Sequence, residues 1–147
     1  MKQLSDLLQL GNPLLYEVCE PVLQSELPLV NEWVADLHNV MEEIRVKYNF
    51  GRAIAAPQLG IMKRLIYMNI DKPIVFINPE FSYLSNEMFE IWDDCMSFPN
   101  LLVKCPIISI SYSHSSKNPF FSSEYLNSLA KDLPREFALF LLISKVL

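Results

Sequence analysis

The 147 residues are enough for one domain with a hydrophobic core, and their composition excludes several classes of protein. The chain is 51% hydrophobic and has a net charge of −5, from 12 basic and 17 acidic residues. This balance argues against a nucleic-acid-binding surface, which needs clustered cations. Only 3 of the 147 residues are glycine, which is well below the usual share of roughly 7%. No glycine-rich phosphate-binding motif is present.

The sequence predicts a cytoplasmic protein that does not contact a membrane. The opening residues, Met-Lys-Gln-Leu-Ser-Asp, include no apolar core of a signal peptide. No apolar run approaches the ~18–20 residues that span a bilayer. The cysteines, Cys19, Cys95 and Cys105, are odd in number and lack the spacing of a disulfide framework, which favours free thiols in a reducing compartment.

The predicted elements begin with a loop and a helix. Residues 10–15 place Gly11 and Pro13 among apolar residues, so we expect the N-terminal segment to lie as a loop over the body of the domain. Apolar residues then recur at spacings of three and four over residues 30–48, which predicts an amphipathic helix. It should begin near Pro28 or Asn31 and end at residues 49–51.

Three extended segments and a second helix complete the prediction. Residues 64–70 and 73–78 are rich in β-branched and aromatic residues, and residues 101–112 alternate with period two. Near the end, Pro134 opens a predicted helix whose residues 137–143 are apolar on every side and must therefore be buried. The expected fold is α+β, a single domain over residues 1–147, with small antiparallel sheets around a central buried C-terminal helix.

The first unusual stretch is residues 51–60, Gly-Arg-Ala-Ile-Ala-Ala-Pro-Gln-Leu-Gly, here called the first motif stretch. Small residues allow close backbone approach, and Pro57 stiffens the turn. These features would hold the Gln58 amide in a fixed place, where it could donate to a developing oxyanion. The alternative is a tight connection between helix and strand that carries a solvated glutamine.

The second unusual stretch is residues 92–99, Trp-Asp-Asp-Cys-Met-Ser-Phe-Pro, here called the second motif stretch. Cys95 could be a soft metal ligand, or it could be a small buried hydrophobic residue. Asp93 and Asp94 should raise the pKa of its thiol, which disfavours a nucleophile without a metal. We expect residues 95–97 to lie on a strand.

Together the two stretches resemble the peptide deformylase family. The family's first motif, GxGxAAPQ, is matched by residues 51–58, and its second, usually EGCLS, by residues 93–97. The resemblance runs from about Leu7 to Tyr112. Ala53 and Asp94 stand where the motifs have glycine, and Asp93 stands where the second has glutamate.

The resemblance implies a metal-dependent hydrolase that removes the formyl group from the N-terminal methionine of nascent proteins, with the ribosome as a further partner. It implies iron(II), or zinc or nickel, with Cys95 as a metal ligand. It also implies that Gln58 and the Met96 N–H stabilise the oxyanion. Gly51, Ala53 and Ile54 would line the pocket for the methionine side chain.

The family's third motif, HExxH, is absent from the 147 residues, which contain two histidines, His38 and His114. If the final helix begins in the family register, Leu139, Phe140 and Ile143 replace the motif's His, Glu and His. Taking Glu136 as the family glutamate also supplies no imidazole. Since two protein ligands and the general base are missing, we expect no metal to be bound and hydrolysis to be lost or severely impaired.

Three alternatives remain open at this point. A metal site could be rebuilt from Asp93, Asp94, Cys105 or His114. The chain could be a non-catalytic module that keeps the methionine pocket and binds nascent N-termini. It could also be a working deformylase whose C-terminal sequence is altered by a frameshift after about residue 104, since residues 109–128 are rich in serine and no glycine follows Gly60.

Overall fold

The computed structural model describes residues 1–113 of the chain and has one long helix and two antiparallel sheets. The elements are α1 (Leu27–Tyr48), β1 (Ala53–Ala55), β2 (Leu65–Asn69), β3 (Pro73–Ile77), β4 (Glu80–Asp93) and β5 (Val103–Ser113). This arrangement confirms the expected α+β class. The predicted C-terminal helix lies outside the described residues.

Helix α1 follows the predicted pattern closely. It begins at Leu27 with Pro28 in its first turn, where a missing N–H leaves no helical hydrogen bond unmade. It ends at Tyr48, and the next residue, Asn49, has a left-handed φ of 59° that terminates the helix and an N–H that donates to the Arg45 carbonyl. No helix within residues 1–113 is long and apolar enough to cross a membrane.

The hydrophobic core lies between α1 and the first sheet. The helix buries one face completely, and the sheet contributes side chains from β1 and β2. The central members are Leu37, Val40, Met41, Ile44, Ile54, Leu65 and Tyr67. Burial of these side chains fixes the start of β1 against the end of α1, and the first motif stretch is located there.

The two sheets differ in how far the sequence predicts them. In the first, the order is β1-β2-β3, with Ile54 opposite Tyr67 and Tyr67 opposite Val75. In the second, β4 pairs with β5 and places Asp93 opposite Val103. Strands β2, β3 and β5 match the predicted segments, whereas β1 and most of β4 were not predicted.

The N-terminal segment lies over the body of the domain, as expected, and is hydrogen-bonded to both motif stretches. The Leu8 N–H donates to the Gln58 carbonyl at 2.8 Å, and the Leu10 N–H donates to the Ser97 carbonyl at 2.9 Å. Further along, the Asn78 side chain accepts from the Val22 N–H and donates to its carbonyl. The segment therefore bridges the backbones of the two stretches.

Candidate functional site

Gln58 lies in a short 3-10 turn, Ala56–Leu59, directly after β1. It is only 3% exposed, so the solvated glutamine considered above is wrong. Its Oε1 accepts from the Ala55 N–H at 2.9 Å, and its Nε2 donates to Ser97 Oγ at 3.1 Å. Hydrogen bonds at both ends of the amide fix its orientation, with the N–H groups directed toward the second motif stretch.

Gly51 and Met96 bring the two stretches together on the core side. Gly51 has a φ of +130°, and a Cβ added there would lie 3.2 Å from Met96 Cε. The same Cβ would lie 3.4 Å from Arg45 Cγ. The Met96 side chain is 3% exposed and belongs to the core. Glycine is therefore required at position 51 both by its backbone conformation and by the space available.

Cys95 lies just past the end of β4, in the connection to β5, and not on a strand as the sequence predicted. The turn has a simple cause, because the Phe98 N–H donates to the Cys95 carbonyl at 3.0 Å and closes it. The sulfur lies 3.7 Å from Gln58 Nε2. Ser97 also directs its backbone N–H and its hydroxyl at this sulfur.

Burial raises the pKa of the Cys95 thiol above its ordinary value, and the charges of Asp93 and Asp94 raise it further. The hydrogen bonds from Ser97 act in the opposite direction without reversing the shift. The thiol is therefore protonated at neutral pH, in the direction that the neighbouring carboxylates predicted. Burial likewise raises the pKa of Asp93, although Arg52 lowers it.

An ion pair that the sequence did not reveal joins the two stretches beside Cys95. Arg52 Nη2 lies 2.7 Å from Asp93 Oδ1 and 3.5 Å from Asp94 Oδ1. The Asp93 side chain is 8% exposed and that of Arg52 is 40% exposed. The only sequence signal for this pair was a cation inside an otherwise uncharged motif, directly ahead of β1.

Arg45, near the end of α1, fixes the backbone next to Arg52 by hydrogen bonds. Its Nε donates to the Gly51 carbonyl at 2.8 Å, and its Nη2 donates to the Asn69 carbonyl. The Asn69 N–H in turn donates to the Arg52 carbonyl at 2.9 Å. The sequence assigned Arg45 to the polar face of the helix, and its role in fixing the first motif stretch was missed.

The residues expected to line a methionine pocket fall on different faces of β1. Ile54 is fully buried in the core with α1, whereas Ala53 is half-buried on the opposite face of the strand. Gly51 is buried against Met96. Their proposed contacts with a methionine side chain, like the oxyanion role of the Met96 N–H, remain predictions.

The donors in the described part of the chain do not fit a transition-metal ion. No three His, Cys, Asp or Glu side chains of this part converge closely enough to hold one, and such sites use three or four protein ligands. Asp93 and Asp94 face Arg52. His38 Nδ1 lies 2.9 Å from the Tyr67 hydroxyl, on the exposed side of α1.

Comparisons with known proteins all point to one family. The polypeptide deformylase family model matches residues 4–115. Peptide deformylase 2 of Clostridium perfringens is 30% identical over 95 residues, which is 63% of this chain and 57% of that protein. The chain spans just over half the length of the curated relatives it matches.

Solved structures show the same likeness. The peptide deformylase of Thermotoga maritima has 27% identity and a TM-score of 0.58, and the match covers 72% of this chain and 71% of that one. A class I type b peptide deformylase from Acinetobacter baumannii, solved with bound Met-Ala-Ser, has 26% identity and a TM-score of 0.55, with 72% and 74% covered. The chain belongs to the peptide deformylase family.

Proposed function

We propose that this chain is a deformylase-fold protein in which metal-dependent removal of N-terminal formyl groups is lost or severely impaired. The observation that carries the proposal is the incomplete donor set around Cys95. Gln58 and Cys95 adjoin as a deformylase site requires, but the 147 residues contain only His38 and His114 as imidazole donors. His38 is engaged with Tyr67, and no HExxH is present.

The missing histidines matter more than the changes in the first two motifs. A single thiol that burial keeps protonated must lose its proton before it can bind a metal, which weakens binding at neutral pH. Without a general base, a bound water would also lack the group that moves its proton. Both losses lower the rate, so the reaction stays near background even if some metal binds.

The test is a deformylation assay with formyl-Met-Ala-Ser. The full chain is purified and supplied with iron(II), nickel or zinc, and Cys95→Ser is prepared in parallel to measure contaminating deformylase from the host. The Thermotoga maritima enzyme serves as the positive control. We expect equal rates for the chain and for Cys95→Ser. A metal-dependent rate more than about tenfold above that variant contradicts the proposal.

A second candidate is a non-catalytic module that binds N-termini beginning with methionine. The retention of the first motif supports it, since its Gln58 amide is still held in a fixed orientation by Ala55 and Ser97 although the third motif is absent. Calorimetry with Met-Ala-Ser tests this candidate, with Ser-Ala-Ser as the matched control. Saturable heat for the first peptide alone supports it, and no heat for either at high concentration contradicts it.

A third candidate is a working deformylase whose C-terminal sequence is altered by a frameshift after about residue 104. The serine-rich residues 109–128 motivate it. Translation of the other two reading frames past codon 104 provides the test. An HExxH in one of them supports the frameshift, and its absence from both argues against it.

The remaining expectations form part of the same proposal. We infer a single domain over residues 1–147, divergent from about residue 105, located in the cytoplasm. Free thiols at Cys19 and Cys95 support that location. Nascent peptides, with the ribosome as their source, are the partners that family membership favours.

A further inference from the structure

A small cavity lies beside the turn of the first motif stretch. Ala55 and Pro57 line it, and Cys19, Lys63 and Arg64 contribute its polar side chains. Its volume is about 20 Å³, and a cavity of about 10–15 Å³ already holds one water molecule. The cavity therefore accepts a single water or a monatomic ion, and an organic ligand is too large for it.

Arg64 brings to this cavity a donor that has no acceptor. Its Nε is buried and finds no hydrogen-bond partner within residues 1–113. The carboxylates of Glu20 and Glu26 pair with Lys63 instead, at 3.0 and 2.9 Å. Buried donors are almost always hydrogen-bonded, and a charge removed from water needs a counter-charge. The partly buried Arg64 guanidinium thus lacks both in the described part of the chain.

The polar side chains that line the cavity are all donors, which favours an anion over a water molecule. The ammonium of Lys63 and the guanidinium of Arg64 cannot accept hydrogen bonds. Burial raises the pKa of the Cys19 thiol, although Arg64 lowers it, so the thiol is protonated at neutral pH and can donate. No lining side chain carries an oxygen. A water would have to donate its own hydrogens here, whereas an anion only accepts.

We propose that this cavity is a binding site for a monatomic anion of the halide class, with Arg64 Nε as its principal donor. The guanidinium provides the opposite charge, and the size of the cavity selects the ion. Ala55 lines the cavity, and its N–H holds Gln58 Oε1 at 2.9 Å. A bound anion therefore stabilises the turn that orients the Gln58 amide, and this role does not depend on deformylase activity.

The experiment measures the Tm of the full chain while sodium chloride replaces sodium gluconate at constant ionic strength. General screening of surface charges then stays the same, and gluconate is too large for the cavity. A ligand that binds only the folded state raises the Tm in proportion to the logarithm of its occupancy factor. We expect a rise of about 4 °C when chloride is tenfold above its dissociation constant. Bromide should act like chloride.

Two substitutions of Arg64 and one control assign the effect to this cavity. Arg64→Met removes the charge and the donor, so the Tm of this variant should be the same in chloride and in gluconate. Arg64→Lys keeps the charge but has no N–H group at the Nε position, and it should also lose the dependence. Lys72→Met removes an exposed cation from the turn between β2 and β3 and should keep the full rise.

A Tm that does not change with chloride in the unmodified chain contradicts the proposal and leaves water as the occupant. An equal rise in Arg64→Met or Arg64→Lys also contradicts it, because chloride then binds elsewhere. Circular dichroism establishes which variants fold, and Arg64→Lys decides the outcome if Arg64→Met does not. Line broadening in the chloride NMR spectrum provides a direct second measurement, and it should be present with the unmodified chain and absent with Arg64→Lys.

Discussion

At the scale of single residues, Gly51 is the position where the fold and the candidate site depend most on one side chain being absent. Gly51→Ala combines a positive φ of +130° with a Cβ only 3.2 Å from Met96 Cε. We expect it to lower the free energy of unfolding by about 2–3 kcal/mol, from backbone strain and overpacking together. Urea denaturation followed by circular dichroism measures the loss.

Gly60→Ala is the matched control for Gly51→Ala. Gly60 also has a positive φ, +72°, but a Cβ added there meets nothing within 4 Å. The control should therefore lose only about 1–2 kcal/mol, the cost of the left-handed conformation alone. Equal losses in the two variants would mean that the contact with Met96 does not constrain position 51.

The sequence predicted the chemistry of individual site residues better than their contacts. A fixed Gln58 amide followed from the small residues and proline around it. Burial is the main cause of the raised Cys95 pKa, and the adjacent carboxylates, which the sequence did show, act in the same direction. The partners of Arg52 and Arg45 could not be predicted. Both side chains reach residues that are distant in the sequence. An arginine on a helix face or beside a strand stands in the same sequence pattern whether its side chain is solvated or is bonded to another part of the protein.

At the scale of elements, the start of α1 is fixed by charge to the residues just before β2. Glu26 accepts from the Leu23 N–H at 2.8 Å and pairs with Lys63 at 2.9 Å. The Leu23 hydrogen bond and Lys63 lower the pKa of Glu26 below its ordinary 4.5. A carboxyl with a lowered pKa stabilises the fold above its unfolded pKa, and this stability is lost as pH falls through the folded one.

Glu26→Gln should therefore lower the Tm near neutral pH, and the difference from the unmodified chain should close as the solution is acidified below pH 4.5. Thermal melts across this range measure it. Glu32→Gln controls for the loss of one negative charge, because Glu32 lies on the exposed face of α1. A Glu26→Gln deficit that persists in acid would show that the packing of Glu26, and not its charge, stabilises this corner.

Long periodic elements were predicted, and short or irregular ones were not. The spacing over residues 30–48 and the turn residues after it defined α1 almost to the residue. β1 has only three residues, Ala53–Ala55, too few to show alternation. β4 has two register shifts against β5, which break the period-two pattern over Glu80–Asp93. Both missed strands carry the motif stretches, so the sequence did not show how Arg52 and Asp93 meet.

At the scale of the whole molecule, the first two deformylase motifs adjoin although the third is absent from the 147 residues. α1 supports the first motif stretch, and the N-terminal segment bonds the Gln58 and Ser97 carbonyls. None of these contacts requires a metal. We therefore expect the chain to fold without a bound metal.

Metal stoichiometry tests this account most directly. The full 147-residue chain and Cys95→Ser are incubated with nickel or zinc, dialysed and analysed for metal beside the Thermotoga maritima enzyme. We predict far less than one metal per chain, with no difference between the chain and Cys95→Ser. About one metal per chain that is lost in Cys95→Ser would contradict the account and establish a rebuilt metal centre on Cys95.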